Sequence, residues 1–357
     1  MWWLILARAA LAWEVLGPGA APTGDHVAAA QLFVETPTPW PATAVVSTDP
    51  EQLGAMAASA ATSLRALRAA GDPRAAAAAP GEAGISVDAV LATLDLVARV
   101  AAEDHGKPAQ RLADPAWLAR TFRVVQWRPD VAAAALRGVR LEPDTLRLTK
   151  YVVYTVAGSP ARTDTHDTAL YAAPADDAVR ARLTRMDVYS GAFGPGGSAS
   201  GAAKPLVWVT RQGSNEALMQ GTIRVTQADA PGRLYQVHRS NGVAYDPSIR
   251  DPDRQARYWY FRAVSGVTGA TGIPLQPHAA VAGDVYNVGV GKLIALQWPT
   301  PTGPGLRLVV LADTGGAFQP NLFQLDYYAG VFPSVAAFQT WARTAPTRVP
   351  AAILVRR

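Results

Sequence analysis

At 357 residues, 49% hydrophobic and 17% charged, the chain is long enough for two medium domains or one large one and apolar enough to build a core. Its formal net charge of +5 and pI of about 9.5 favour anionic partners, but no Lys/Arg block or aromatic RNA-binding signature accompanies them, so nucleic acid is not an expected partner. The absence of cysteine excludes disulfides, thiolate metal sites, a cysteine nucleophile and lipoprotein acylation within this sequence. No two of the five histidines (His26, His105, His166, His238, His278) stand at HxxxH or HExxH spacing, and no GxxxxGK[ST] or GxGxxG follows a strand. Neither a metal nor a nucleotide cofactor is therefore expected.

The N-terminal MWWLILARAALAWEVLGPGAA is apolar, but Arg8 and Glu14 interrupt it. It is too short and too charged for a membrane span. An apolar stretch followed by small residues fits an export signal in part, without the basic n-region. The alternatives are a frayed or packed apolar end, or a start site placed downstream of the true signal. Residues 1–48 thus read as a signal-like and linker segment, rich in Pro, Thr and Ala from residue 17.

Helices are predicted next, over a region spanning residues 49–145. Asp49-Pro50 is an N-cap followed by proline at the first helical position. Leu53, Met56, Ala57, Ala60, Leu64 and Leu67 follow at helical spacing, and Gly71 closes the segment. Ser86 opens a second helix with Val87, Val90, Leu91, Leu94, Val97 and Val100 on one face, ended by Gly106. Asp114-Pro115 starts a third, through about Phe122. The low-complexity RAAAAAPGEAG (Arg74–Gly84) reads as a loop between helices.

From about Leu146 the pattern changes to short β-branched or aromatic runs bounded by turn residues: RLTKYVVYTVAG, DVYSGAF, PLVWVTR, GTIRVTQ, RLYQVHR, YWYFRAV, GDVYNVGVGKLIALQW and GLRLVVLADTGG. Their spacing suggests small barrels rather than a βαβ sheet. VFPSVAAFQTWART reads as a closing helix.

Three aspartates stand beside apolar runs and glycines in the last third: Asp284 in VAGDVYNVGVGKL, Asp313 in LADTGGAF and Asp326 in FQLDYYAG. Taken alone, D-T-G-G after Leu306–Ala312 is either an ordinary turn or a carboxylate placed where a ligand approaches the backbone. Other segments add to it in order. KYVVYTVAGSPARTDTHDTALYAAP, MQGTIRV (Met219–Val225), SNGVAYDPSI (Ser240–Ile249) and RYWYFRAVSGVTGATGIPLQP resemble, respectively, the TGYYTP strand, the QGSGRV strand, the NG-x-x-Y-x-S-I segment and the aromatic strand with its Gly-rich turn of the membrane-bound lytic murein transglycosylase A (MltA) family. The resemblance covers roughly residues 115–332. The chain departs from that pattern at Phe318-Gln319-Pro320, where the family continues Ile-Lys-Gly, at Ile223 in place of the second glycine of QGSG, and in the longer gap from Asp313 to Asp326. It resembles a divergent member.

The resemblance implies a mainly β protein with an α-helical N-terminal part: a double-psi β-barrel over residues 251–357 and an inserted second β-domain over 146–250, with a glycan groove between them. It implies an envelope or periplasmic lyase acting on peptidoglycan glycan strands as a monomer, with other cell-wall enzymes as further partners. Asp313 takes the catalytic place. Thr314, Gly315 and Gly316 would support it or bond the sugar, and Asp284 and Asp326 would raise its pKa or pin loops. Gln220, Gly221, Asn241, Tyr245, Tyr154 and Thr155 match groove positions, although Asn241-Gly242 is also a good hairpin turn and Tyr154 and Thr155 also suit a β-core. Two rivals share the fold: a non-catalytic glycan-binding scaffold, and a hydrolase with Asp284 or Asp326 as base.

Overall fold

The computed structural model describes residues 25–228, 230–244, 246, 248–315, 318 and 320–357. The signal-like residues 1–24, Tyr245 and Gly316 lie outside these. The strands are, in chain order, β1 (Phe33–Thr36), β2 (Val45–Val46), β3 (Phe122–Trp127), β4 (Leu146–Ala157), β5 (Thr168–Tyr171), β6 (Pro205–Val209), β7 (Thr222–Gln227) and β8 (Ala230–Ser240). They continue with β9 (Trp259–Val264), β10 (Ala280–Ala282), β11 (Leu293–Gln297), β12 (Gly305–Asp313), β13 (Gln324–Phe332), β14 (Arg348–Val349) and β15 (Ala351–Arg356). The chain divides into two compact units. The larger comprises the described part of Val15–Tyr151 with Thr268–Gly330 and Ala342–Arg357, and the smaller comprises Val152–Val267 with Val331–Trp341.

In the larger unit the helix Pro50–Ala69 begins where the Asp49 carboxylate accepts the Glu51 and Gln52 amides, satisfying donors that have no partner inside a helix. Leu53, Met56, Ala57, Ala60 and Leu64 form its buried face. The helix Val87–Asp104, capped by Ser86, buries Val90, Leu94, Val97 and Val100. The two pack so closely that a Cβ on Gly54 would stand 2.3 Å from the Ala101 Cβ. Gly54→Leu is therefore expected to force the pair apart and to destabilise the protein by about 1–3 kcal/mol, checked by urea unfolding; unchanged stability would show that the helices slide freely.

Residues 25–48 are ordered beyond what their composition suggests, because distant strands take up their backbone groups. β1 pairs with β3, β2 runs parallel to the start of β12, and the Thr48 hydroxyl bridges the Leu308 amide and carbonyl. The predicted loop Arg74–Gly84 holds a short helix, Ala78–Glu82. The sheet of this unit runs β1-β3-β15-β11-β12-β10-β13 and then the first half of β4, with β14 beside β4. It is mixed: β10 pairs parallel with β12 and antiparallel with β13.

In the smaller unit the second half of β4 pairs parallel with β7, and β7, β8 and β9 continue antiparallel, while β5 and β6 form a separate pair. Three segments depart from the sequence reading. DVYSGAF is not a strand: Thr184 and Asp187 form a reciprocal capping box that starts the helix Arg185–Tyr189. RQGSNEALMQ forms a helix, Arg211–Gln220, capped by Thr210 and closed by Gly221 in the left-handed conformation (φ +77°). Likewise GDVYNV is not extended, because Asp284 caps the helix Val285–Val288. The closing helix is Val335–Ala342.

Candidate functional site

β12 is buried along Leu306–Ala312 except at Arg307, and it delivers Asp313 to its end with 1% of the residue exposed. One carboxylate oxygen, Oδ1, accepts the amides of Ala270 and Thr314, both at 2.8 Å. The other, Oδ2, accepts the Tyr151 hydroxyl at 3.1 Å. Burial pushes the Asp313 carboxyl up from 3.8 to about 7; the three hydrogen bonds oppose that rise and the nearby Asp326 carboxyl adds to it. The loop carrying Ala270 reaches the carboxyl because Gly269 has no side chain: a Cβ there would sit 2.7 Å from the Ala312 carbonyl and 3.0 Å from Asp313 Oδ1. The Thr271 hydroxyl fastens the same loop to the Ala312 carbonyl at 2.8 Å.

The short β10 lies between Asp313 and a second of the three aspartates. Its Ala282 pairs with Asp313 on one side and with Asp326 on the other, so the two aspartates stand two strand spacings apart, roughly 10 Å between Cα atoms. Asp326 is 3% exposed and one of its oxygens, Oδ1, has no hydrogen-bond partner. Burial raises its pKa to about 7, against the Thr149 hydroxyl and the charges of Lys150 and Arg147. Lys150 is itself lowered to about 8 by burial, and its ammonium donates to the carbonyls of Ala345 and Pro346. Asp284, fully buried, is saturated: it accepts the Asn287 amide (3.0 Å), the Asn287 side chain (2.6 Å) and the Asn321 amide (2.8 Å). Burial raises its pKa too, but these bonds hold two loops together and leave little to offer a ligand. Among the described residues no three His, Asp or Glu side chains are placed to share a metal ion.

Thr314 meets Asp313 through its amide rather than its hydroxyl, which is buried without a partner, and the Gly315 carbonyl accepts the Phe318 amide. The remaining sequence candidates belong to the smaller unit. Tyr154 is core, edge-on to Phe338 and paired in register with Ile223, and Thr155 pairs with Arg224. The Gln220 side chain accepts the Val152 amide at 3.2 Å, and Gly221 closes its helix. Asn241, 2% exposed, donates to the carbonyls of Leu183 and Ala256 and accepts the amides of Tyr258 and Val243. That set of bonds makes it a bracket of the fold. Asn241→Ala is expected to cost about 2–4 kcal/mol of stability by stranding buried backbone groups, read by denaturant unfolding; a loss under about 1 kcal/mol would contradict this.

Three contributors were not singled out from the sequence: Tyr151, Lys150 and the Gly269–Thr271 loop. Tyr151 lies in a strand already recognised, and the loop is part of a visible Gly-rich turn, but neither carries a spacing that points at Asp313.

No family model matches the chain. Membrane-bound lytic murein transglycosylase A of Vibrio cholerae is 40% identical to it over 78 residues, 20% of this chain and 21% of that protein. The chain thus matches about a fifth of the length of this curated relative. Among solved structures it is similar to E. coli MltA with bound chitohexaose (16% identity, 91% of this chain and 95% of that one, TM-score 0.60). It is also similar to a monoclinic form of MltA from Neisseria gonorrhoeae (16%, 90% and 97%, TM-score 0.55) and to a membrane-bound lytic murein transglycosylase from Agrobacterium tumefaciens (15%, 76% and 85%, TM-score 0.52). The fold is the mainly β MltA fold, here with a buried acid at the end of a central strand. The chain thus has the fold of MltA and shares with one MltA a 78-residue stretch of similar sequence.

Proposed function

We propose that the protein is a lytic transglycosylase that cleaves the MurNAc–GlcNAc β-1,4 bond of peptidoglycan and leaves a 1,6-anhydro-MurNAc end. The observation that carries this reading is Asp313: a carboxyl sealed at a strand end, anchored at Oδ1 by two amides and holding its proton near neutral pH. An ordinary aspartic acid, at about 3.9, has no proton to give there. Glycoside hydrolysis ordinarily requires two carboxylates flanking the bond. Formation of an anhydro sugar requires one. Asp313 protonates the leaving oxygen, and the resulting carboxylate takes the proton of the sugar's own C6 hydroxyl as that oxygen closes on C1. The buried, unpartnered Thr314 hydroxyl supports a sugar contact beside the acid. Asp326 raises the Asp313 pKa by like-charge repulsion and Asp284 holds the loops. The glycan bound to E. coli MltA and the name of the Vibrio relative support a glycan substrate and an envelope location. We assign a double-psi barrel to the larger unit and read the smaller unit, Val152–Val267 with Val331–Trp341, as the inserted β-domain; the parallel β10–β12 pair flanked by antiparallel β13 supports the barrel.

The second reading, a binding scaffold, draws on the replaced Ile-Lys-Gly and QGSG residues. Mass spectrometry of purified sacculi digested with the protein separates the readings. Anhydro-muropeptides are expected. Reducing ends would mean a hydrolase, and intact glycan with the folded protein bound to it would mean a scaffold.

A further inference from the structure

We propose that Asp313 exchanges its proton with the glycan through the hydroxyl of Tyr151, which makes Tyr151 a catalytic residue of the reaction. This rests on the reading of Asp313 as the acid. Three observations carry it. First, the two carboxylate oxygens are unequal. Oδ1 accepts two amides that cannot be turned away, so it is the oxygen suited to negative charge, and the transferable proton belongs on Oδ2. Second, the partner of Oδ2 is the Tyr151 hydroxyl at 3.1 Å. Third, Asp313 is closed off from solvent at 1% exposure, whereas the Tyr151 residue as a whole keeps some exposed surface.

The phenol is held in place by its neighbour: its ring lies 5.1 Å from that of Tyr328 at an interplanar angle of 31°. Its surroundings keep it protonated. Burial raises its pKa well above the ordinary value, and the carboxyls of Asp313 and Asp326 and the Tyr328 phenol act in the same direction, while Lys150 and Arg147 face Asp326. A phenol that does not ionise passes a proton by giving one as it takes one.

In the first step the Oδ2 proton of Asp313 moves to Tyr151 Oη while the hydroxyl proton of Tyr151 moves to the glycosidic oxygen. The C1–O bond breaks, and its electron pair leaves on that oxygen. In the second step the C6 hydroxyl proton moves to Tyr151 Oη, the tyrosine proton returns to Oδ2, and the C6 oxygen forms its bond to C1. No other reactant enters, and both residues end as they began.

The test uses the full-length protein on purified sacculi and counts anhydro ends. Tyr151→Phe keeps the ring against Tyr328 and removes only the hydroxyl. It is expected to lower kcat by about 10²–10³-fold with little change in KM. In mixtures of H2O and D2O the wild-type rate is expected to fall along a bowed curve, because two protons move together; a residual Tyr151→Phe rate should fall linearly. A phenylalanine variant within about threefold of wild type overturns the relay, and so does a linear wild-type curve, a readout that needs no variant to fold. Asp313→Asn is run alongside. If it is inactive while Tyr151→Phe is fully active, the transglycosylase reading stands and the relay is wrong. If it remains active, or if the wild type yields no anhydro ends, the reading of Asp313 itself fails and the relay with it.

Discussion

Asp313→Asn is expected to reduce the formation of anhydro ends by about 10³-fold or more while leaving the fold intact. The amide is nearly isosteric with the carboxyl. Its oxygen can accept the Ala270 and Thr314 amides, and its nitrogen can donate to the Tyr151 hydroxyl, so the site keeps its shape and loses only its transferable proton. The same substitution is expected to stabilise the protein above neutral pH. The folded carboxyl titrates at about 7 and the unfolded one near 3.8, so the folded state holds a proton that the unfolded state has released throughout that window. Wild-type stability is therefore full below about pH 4 as far as this group is concerned, declines as pH rises toward 7, and is lowest above it. At pH 8 the asparagine variant should be more stable by about 2–4 kcal/mol, and at pH 4 by nearly nothing. Wild-type activity follows the same group in the same direction: turnover that needs the acid form falls as pH rises through about 7. Rates on sacculi with urea unfolding at the two pH values check all three. A variant that retains turnover within about tenfold of wild type would remove Asp313 from the chemistry.

Lys292→Met is expected to stabilise the protein by on the order of 3 kcal/mol near pH 7. Lys292 is 1% exposed, and burial lowers its pKa from 10.5 to about 7 with no charged partner to offset it among the described residues. Its amine lies beside Gly289, where a Cβ would come within 2.6 Å of Nζ and 2.3 Å of the Ala76 carbonyl. The position has room for an unbranched side chain and gains nothing from a charge. The pH dependence has a definite sign. Between about 7 and 10.5 the unfolded chain holds a proton that the folded chain lacks, so the wild type gains stability as pH rises across that window. Methionine has no such linkage. The variant's advantage should be largest at and below about pH 7 and shrink toward pH 10. Chemical unfolding of both proteins across this range reads the difference, and a constant gap would show that Lys292 is charged in the folded state or that the gain is one of packing alone.

The two aspartic acids and the lysine are costly groups in one unit of the fold. Asp313 and Asp326 bring a cost that appears as pH rises, Lys292 one that appears as pH falls. Active sites commonly retain such groups at the expense of stability, and it is the two carboxyls that the proposed reaction would use.

Local chemistry made part of this legible in the amino-acid order. Asp49-Pro50, Ser86 and Asp114-Pro115 start helices where caps and proline dictate, because the signal and the hydrogen bond it satisfies lie within four residues. Alternating β-branched and aromatic runs became β4, β6, β7, β8, β9 and β12 for the same reason. Where a cap competed with an aromatic run, as at Thr184 and Asp187 or at Asp284, the cap prevailed and the predicted strand became a helix. Residues 25–48 and the helix Arg211–Gln220 escaped detection. The first is ordered by pairing with strands far away in sequence, and the second is a polar helix whose buried side holds only Gly213, Ser214, Ala217 and Leu218. Asp313 could be named from LRLVVLADTGG because an apolar run ending in Asp and Gly is itself a statement about burial. What surrounds it was decided only in three dimensions. Tyr151 is 162 residues away along the chain and Ala270 is 43, and the common register of Asp313 and Asp326 on Ala282 follows from strand pairing, which depends on the whole sheet closing rather than on any local preference.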